Sequence, residues 1–173
     1  MAILSAGLLP YRINDNLLEV LIVHPGGPFW AKRDNGVWSL AKGEYLEGED
    51  PLHAAKREFK EETGQSAPEG EYLDLGELKQ PSGKIIKAWA VKADIDVLKV
   101  KSNTFEMAWP PKSSRLQTFP EVDKAAWCSI GVAKARLLKG QVSFLDELVG
   151  KLNYTGPVTF ITDTDIPIQP SLF

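Results

Sequence analysis

Hydrophobic and polar positions at the start of the chain form two apolar runs separated by a polar turn. Residues 2–11 and 17–23 are rich in Leu, Ile and Val, and Asn14, Asp15 and Asn16 lie between them. Asn and Asp tolerate the backbone conformations of tight turns, and apolar runs of this length are typical of strands. The pattern therefore predicts a hairpin of two strands.

Apolar segments of two kinds follow along the rest of the chain. Short runs rich in branched and aromatic residues predict strands, and longer runs with apolar residues three and four apart predict helices. Strands with helices on both faces predict an α/β fold, an α/β/α sandwich. We expect this domain at residues 1–152 and a C-terminal extension at residues 153–173. The expected strands are 38–40, 72–78, 85–91 and 125–128, and the expected helices are 51–63, 131–138 and 144–152, the last two separated at Gly140.

The segment at residues 43–65, GEYLEGEDPLHAAKREFKEETGQ, predicts a short helix with defined ends. Asp50 can accept a hydrogen bond from a free helical amide, and Pro51 suits the first helical position. Gly64 suits the position that ends a helix. The apolar face predicted by helical spacing consists of Leu52, Ala55 and Phe59.

The same helix carries three glutamates on another face. Glu58, Glu61 and Glu62 stand at positions i, i+3 and i+4, and so lie within one turn. Like charges at these spacings destabilise an isolated helix by roughly 0.2–0.5 kcal/mol per pair, which favours a bound cation among them. Oxygen ligands without Cys or His favour Mg2+ or Mn2+ over Zn2+. The alternative is a solvated acidic face flanked by Lys56 and Lys60.

Seven positions of this segment have the spacing G-x5-E-x7-R-E-x-x-E-E-x-G. With that spacing the segment resembles the Nudix box, and the chain is identified as a member of the Nudix hydrolase family. The phrases HPGGPFWAK, GVWSLAKGE and FPEVDKAAW further resemble a bacterial-type branch of that family. The resemblance implies a mixed β-sheet and the metal-dependent cleavage of a pyrophosphate linkage in a nucleoside diphosphate joined to another group. The matching residues are Gly43, Glu49, Arg57, Glu58, Glu61, Glu62 and Gly64.

The resemblance also implies which residues hold the metal. Glu58 and Glu62 correspond to the main metal ligands of the family, and Glu61 corresponds to a residue that shares the metal site. The backbone carbonyl of Gly43 corresponds to a further oxygen ligand. Gln65 stands where the family has an aliphatic residue, a departure that concerns local packing more than chemistry.

A second set of implied roles concerns the arginine of the box and the general base. Arg57 corresponds to an arginine that pairs with the earlier glutamate, here Glu49, and holds the loop against the ligand-bearing helix. Family members place the general base either within the box or on a later loop. Glu121 precedes the expected strand that contains Trp127, and it corresponds to a glutamate that joins the metal site or acts as the base.

Lys42 directly precedes the box and offers an amine to a phosphate. The run WSLAKGE resembles the W-x-x-P-K-G-x pattern of family members that act on dinucleoside polyphosphates, with Ala41 in place of proline. A lysine at a loop tip is also typical of a plain surface residue. Lys32 and Arg33 have the same two interpretations.

The stretch at residues 105–127 is long, proline-rich and aromatic, which is typical of a loop that closes over a ligand. Within it Arg115 is our candidate for a phosphate clamp. Aromatic residues that either stack on a base or fill core and rim positions are Trp30, Trp109 and Phe119.

Composition excludes some classes of protein. The chain has 173 residues and a mass of 19.1 kDa, with 43% hydrophobic and 25% charged residues, which suits one globular domain. A net charge of -3 argues against general nucleic-acid binding, and no stretch is long enough to span a bilayer. The start lacks a basic n-region, so we expect a strand there and not a signal peptide. Cys128 has no partner cysteine, which favours a core position in a reducing, cytoplasmic compartment, and His24 and His53 are interpreted as structural.

The expected function is therefore hydrolysis of a nucleoside polyphosphate, a small-molecule substrate. The WSLAKGE run slightly favours dinucleoside polyphosphates of the diadenosine tetraphosphate type. The alternative enzyme is a housecleaning nucleoside triphosphate pyrophosphatase. A further alternative is a catalytically silent module that only binds nucleotides, although such modules usually lack box carboxylates that are all present here.

The C-terminal extension ends in QPSLF, which resembles the short Q-x-S/D-L-F peptide by which bacterial replication proteins dock on the sliding clamp. Gln169, Leu172 and Phe173 would make that contact. A match of five residues is weak, so the alternative is favoured over clamp docking. In that alternative the tail packs on its own domain or on a second copy in a homodimer.

Overall fold

The computed structural model describes residues 2–158. The predicted clamp-docking residues Gln169, Leu172 and Phe173 lie outside that range, and this prediction stays a prediction.

The described chain contains eight strands and three α-helices, with a short 3-10 turn at Val97–Lys99 and another at Lys139–Gln141. In chain order the elements are β1 Leu4–Asn14, β2 Leu17–Pro25, β3 Ala41–Tyr45, α1 Pro51–Thr63, β4 Tyr72–Lys79, β5 Ile85–Lys92, β6 Thr104–Ala108, β7 Leu116–Pro120, β8 Val122–Ser129, α2 Ile130–Arg136 and α3 Ser143–Lys151.

Strand β1 is the centre of a mixed sheet with the order β4-β5-β1-β2-β8. It runs parallel to β5, with Leu4 opposite Ile85, and antiparallel to both β2 and β3. The predicted hairpin is confirmed, and its turn places Asp15 and Asn16 at positive φ of 48° and 65°. Asn and Asp adopt this region more readily than other residues with a side chain, which explains the polar turn.

Helices cover both faces of the sheet, as the sequence predicts. Helix α1 buries Ala54, Ala55 and Phe59 on one face, and all three are fully inaccessible to solvent. On the other face α2 and α3 bury a second apolar cluster, which includes Ile130 and Phe144. The α/β/α sandwich is therefore confirmed.

The expected strand at residues 38–40 is wrong. These residues form only isolated bridges, Trp38 with Leu137 and Ser39 with Val23, and the strand begins three residues later with β3. The amide of Leu40 donates to the side chain of Gln141 at 3.0 Å and not to a neighbouring strand. Because the side chain of Gln141 takes the hydrogen bond of this amide, Leu40 cannot continue a ladder of backbone hydrogen bonds with a neighbouring strand.

The expected loop at residues 105–127 is also wrong. Strands β6 and β7 pair there as a separate two-stranded sheet, in which the rings of Phe105 and Phe119 face each other across the register at 6.0 Å. Two of the three prolines that suggested a loop, Pro110 and Pro111, lie at its turn, and the third, Pro120, is the last residue of β7.

Tyr154, which follows the last helix, contacts the start of the sheet. The hydroxyl of Tyr154 accepts a hydrogen bond from Leu18 N at 3.2 Å and donates to Asn16 O at 3.0 Å, beside the β1–β2 turn. Among the helices of residues 2–158, none is both long and apolar enough to cross a membrane.

Candidate active site

The caps of α1 determine where the helix that carries the three glutamates begins and ends. Asp50 has an extended backbone, and its Oδ2 accepts a hydrogen bond from His53 N at 3.0 Å. Gly64 ends the helix with a left-handed backbone at φ 74°. Both ends are those that the sequence predicts. Both ends of α1 are capped, and the buried ring of Phe59 packs one face of the helix into the core.

Gly43 of β3 lies against the carboxylate of Glu58. A Cβ atom placed on Gly43 would lie only 1.9 Å from Glu58 Oε2, far closer than any real contact. Glycine has no Cβ atom, so β3 and α1 can approach closely at this point. The Glu58 carboxylate therefore packs directly against the backbone of Gly43. This arrangement brings the Gly43 backbone and the carboxylate of Glu58, the first of the three helix glutamates, into contact.

Arg57 joins the loop before α1 to the helix. Its Nη1 donates to Glu49 Oε1, and its Nη2 lies 3.3 Å from Glu44 O. The same Nη2 donates to Glu58 Oε1 at 3.2 Å. The pair with Glu49 is the one that the family resemblance implies. The contact with Glu58 was not predicted, and it means that Arg57 holds a candidate ligand as well as the loop.

Glu121 reaches the last turn of α1 through a short chain of backbone hydrogen bonds. Asn103 N donates to Glu61 O at 2.9 Å, and Glu121 N donates to Asn103 O at 2.9 Å. Asn103 therefore links the helix to the β7–β8 connection. Glu121 is separated by about 60 residues from the box, yet its charge acts directly on Glu62.

The charges of the cluster influence one another strongly. Burial raises the pKa of Glu62 to about 7, and the neighbouring charge of Glu121 adds to the rise while Lys42 opposes it. Burial also raises the pKa of Glu58, an effect that Arg57 partly offsets and Glu61 increases. Carboxylates with raised pKa values in one cluster are typical of a functional site, because their repulsion is relieved only by a proton or a cation.

The donor set suits a hard divalent cation, since it consists of carboxylate oxygens and the Gly43 carbonyl. Within residues 2–158, however, no three acidic, histidine or cysteine side chains are already gathered closely enough to form a metal cage. The ion pair of Glu58 with Arg57 is one physical reason. The residues fit a metal in their chemistry and in their positions on α1 and β3. Their carboxylates must change rotamer to bind one ion together.

Lys42 lies at this site as a half-buried side chain of β3. Burial lowers the pKa of its amine and the charge of Lys84 adds to that effect, while Glu62 and Glu58 counteract it. These couplings place the amine within electrostatic reach of both carboxylates. The alternative of a plain surface lysine is therefore less well supported.

The other predicted substrate residues lie on two other segments of the chain. Trp30 and Lys32 are on the exposed loop after β2, where Arg33 stacks on the Trp30 ring at 5.1 Å. Arg115 is exposed and precedes β7, so it stands about 17 Å along the strand from Pro120 at a rise of about 3.3 Å per residue. The structure does not bring Arg115 together with the carboxylates.

An open depression of about 660 Å3 lies beside the Arg57–Glu49 pair, with Ile3 and Leu46 among its lining residues. Neither Glu58 nor Glu62 lines it. The depression supplies space, whereas the carboxylates of α1 supply acids with raised pKa values, which are typical of a functional site.

Comparison with known proteins agrees with the box. A model of the NUDIX domain family matches residues 4–148. Nudix hydrolase 7 of Arabidopsis thaliana is 32% identical over 114 residues, which make up 63% of this chain and 39% of that protein. The chain thus spans well under half the length of this relative.

Two solved structures share the fold. A C. elegans Ap4A hydrolase in a binary complex aligns with a TM-score of 0.60 and 22% identity, covering 86% of this chain and 98% of that chain. The NUDIX domain of Shewanella oneidensis NrtR complexed with ADP ribose aligns with a TM-score of 0.59 and 16% identity, covering 88% and 89%. At these identities the likeness concerns the fold. The family match over most of its length shows that the chain belongs to the Nudix hydrolase family.

Proposed function

We propose that this protein hydrolyses a pyrophosphate linkage in a nucleoside polyphosphate with the help of a divalent metal. The observation that carries the proposal is the coupling of Glu62 in α1 to Glu121 from a distant segment, with the pKa of Glu62 raised to about 7 by burial and by that neighbour. Two carboxylates whose charges repel each other in a partly buried place favour a bound cation or proton.

Glu58, Glu61 and Glu62 are the side chains that would hold the metal, with the carbonyl of Gly43 as a further ligand. Mg2+ or Mn2+ suits these oxygen donors. When bound, such a cation offsets phosphate charge and lowers the pKa of a coordinated water.

The chain's own residues supply the rest of the reaction. We assign Glu121 as the base. It takes a proton from the attacking water while the water oxygen forms its bond to phosphorus and the bridging P–O bond breaks. Lys42 places positive charge beside the phosphates, and Arg57 holds the box loop and Glu58 in position. Trp30 and Lys32 on the loop after β2 are assigned to the nucleoside end of the substrate, and Arg115 to a distant phosphate.

Dinucleoside polyphosphates of the diadenosine tetraphosphate type are the favoured substrates. The WSLAKGE run supports this choice, and the C. elegans structure of the same fold is an Ap4A hydrolase. The alternative is a nucleoside triphosphate pyrophosphatase, which uses the same residues on a shorter substrate. A silent binding module is disfavoured because every box carboxylate is present.

We place the activity in the cytoplasm. Cys128 is a buried free thiol whose pKa burial raises to about 11, and a single unpaired cysteine suits a reducing compartment.

A screen of nucleotide pyrophosphates with Mg2+ and with Mn2+ tests the proposal, with products separated by chromatography and phosphate measured after a coupled phosphatase. Diadenosine tetraphosphate should give AMP and ATP, and a triphosphate substrate should give a monophosphate and pyrophosphate. Hydrolysis of no substrate in the panel with either metal would contradict the proposal.

A further inference from the structure

His24 is a fully buried histidine whose two ring nitrogens both meet an oxygen atom. Its Nδ1 lies 2.8 Å from Asp123 Oδ1, and its Nε2 lies 2.6 Å from Arg33 O. The ring also packs edge-on against Trp38 at 5.2 Å. Contacts on three sides hold the imidazole in one orientation.

Asp123 is unusual in the sheet because it falls at a β-bulge. His24 pairs with Lys124 and Pro25 pairs with Val122, so Asp123 is the extra residue of β8. A bulge redirects the side chain of the extra residue and often occurs next to an active site. Here the redirected carboxylate bonds to His24, two residues after Glu121.

The residue after Pro25 holds Glu121 from the other side. Gly26 N donates to Glu121 O at 2.9 Å, and a Cβ atom on Gly26 would lie 1.9 Å from Pro120 O. The end of β2 therefore contacts the chain both just before and just after the carboxylate that acts on Glu62.

We propose that His24 is a positioning residue for hydrolysis. Its ring is anchored by the carbonyl of Arg33 and bonds to the bulged Asp123. It thereby holds the Glu121 backbone where Asn103 links it to the last turn of α1. This inference rests on the proposed function, because it takes Glu121 to serve the reaction. It adds a positioning role to the structural role that the sequence predicts for His24.

The variants that test this separate positioning from folding. His24→Gln removes the ring, and Asp123→Asn weakens the same bond from a side chain that is 30% exposed and so leaves the core intact. Gly26→Ala pushes on the Pro120 carbonyl. Matched controls are His53→Gln, an exposed histidine, and Gly150→Ala, whose added Cβ meets nothing within 4 Å.

The decisive measurement is kcat and KM for each variant, alone and combined with Glu121→Gln. A misplacement of about 1 Å can lower turnover by roughly 100-fold, so we expect Asp123→Asn and Gly26→Ala to lower kcat by roughly 10- to 100-fold, with KM little changed. In the Glu121→Gln background the same changes should have no further effect, because the group that they position is gone.

Two outcomes would overturn the inference while leaving the proposed function intact. One is unchanged kcat in Asp123→Asn and Gly26→Ala, and the other is an equal loss with and without Glu121→Gln. If His24→Gln does not fold, Asp123→Asn and Gly26→Ala still decide. If the unaltered protein hydrolyses no nucleotide, the proposed function fails first and takes the inference with it.

Discussion

Gly43 and Glu58 approach so closely that a single Cβ atom between them would lie 1.9 Å from the Glu58 carboxylate. This contact joins the strand before the box to the helix within it. It gives the glycine of the box a steric reason that does not depend on an unusual backbone angle.

Gly43→Ala should therefore displace the Glu58 carboxylate. We expect kcat to fall by roughly 10- to 100-fold, as for a catalytic group moved by about 1 Å, with the fold retained because the side chain of Glu58 can turn aside. Steady-state kinetics and circular dichroism check this. Gly150→Ala, which adds the same methyl in open space, should match the unaltered protein. Equal activity in the two variants would contradict the packing argument.

Arg57→Ala should reduce activity more than Glu49→Ala, because Arg57 holds Glu58 as well as Glu49. We expect losses in kcat of roughly 100-fold and 10-fold, and a double variant no worse than Arg57→Ala alone. A double-mutant cycle on kcat measures this, with Glu47→Ala as a control on the same loop. Losses that simply multiply would show that the two residues act separately.

Phe59→Ala should destabilise the protein by about 3–5 kcal/mol, because the ring is fully buried beneath α1. Urea unfolding followed by fluorescence measures the change. Leu46→Ala is the control, since that side chain is 81% exposed and should alter stability little. A small effect at Phe59 would mean that α1 is not anchored through this ring.

The stability that Glu62 contributes to the metal-free protein should fall as pH rises. The folded pKa of Glu62 is about 7, against an ordinary value of 4.5, so between these values the folded state holds a proton that the unfolded state has released. Stability from this group is present below about pH 4.5 and is lost as pH rises through about 7.

Thermal unfolding of the metal-free protein at about pH 5 and about pH 8 tests this linkage. The unaltered protein should lose more stability over that range than Glu62→Gln, which cannot ionise. Added Mg2+ or Mn2+ should reduce the difference, because a bound cation favours the ionised carboxylate. Parallel pH profiles for the two proteins would contradict a raised pKa at Glu62.

The sequence predicts well those structural features that depend on residues close to one another along the chain. Asp50, Pro51 and Gly64 each act within a few residues, so the ends of α1 follow from the chain alone. The hairpin of β1 and β2 likewise follows from Asp15 and Asn16 at its turn.

What the sequence does not predict depends on partners far along the chain. Residues 38–40 do not form a strand because the Leu40 amide bonds to the side chain of Gln141, which is 101 positions after Leu40. The bond between His24 and Asp123 spans 99 positions, and the link through Asn103 uses backbone atoms that carry no sequence signal. Such contacts become visible only once the sheet has brought the segments together.

Replacement of Glu62 by Gln is the most direct test of the carboxylate centre, because the change keeps the size of the side chain and removes its charge. With saturating Mg2+ and the best substrate of the screen, we predict that kcat/KM falls by at least about 100-fold while the melting temperature of the metal-free protein does not drop. Glu147→Gln, an exposed carboxylate on α3, should leave activity unchanged. Activity of Glu62→Gln close to that of Glu147→Gln would contradict the assignment of the site.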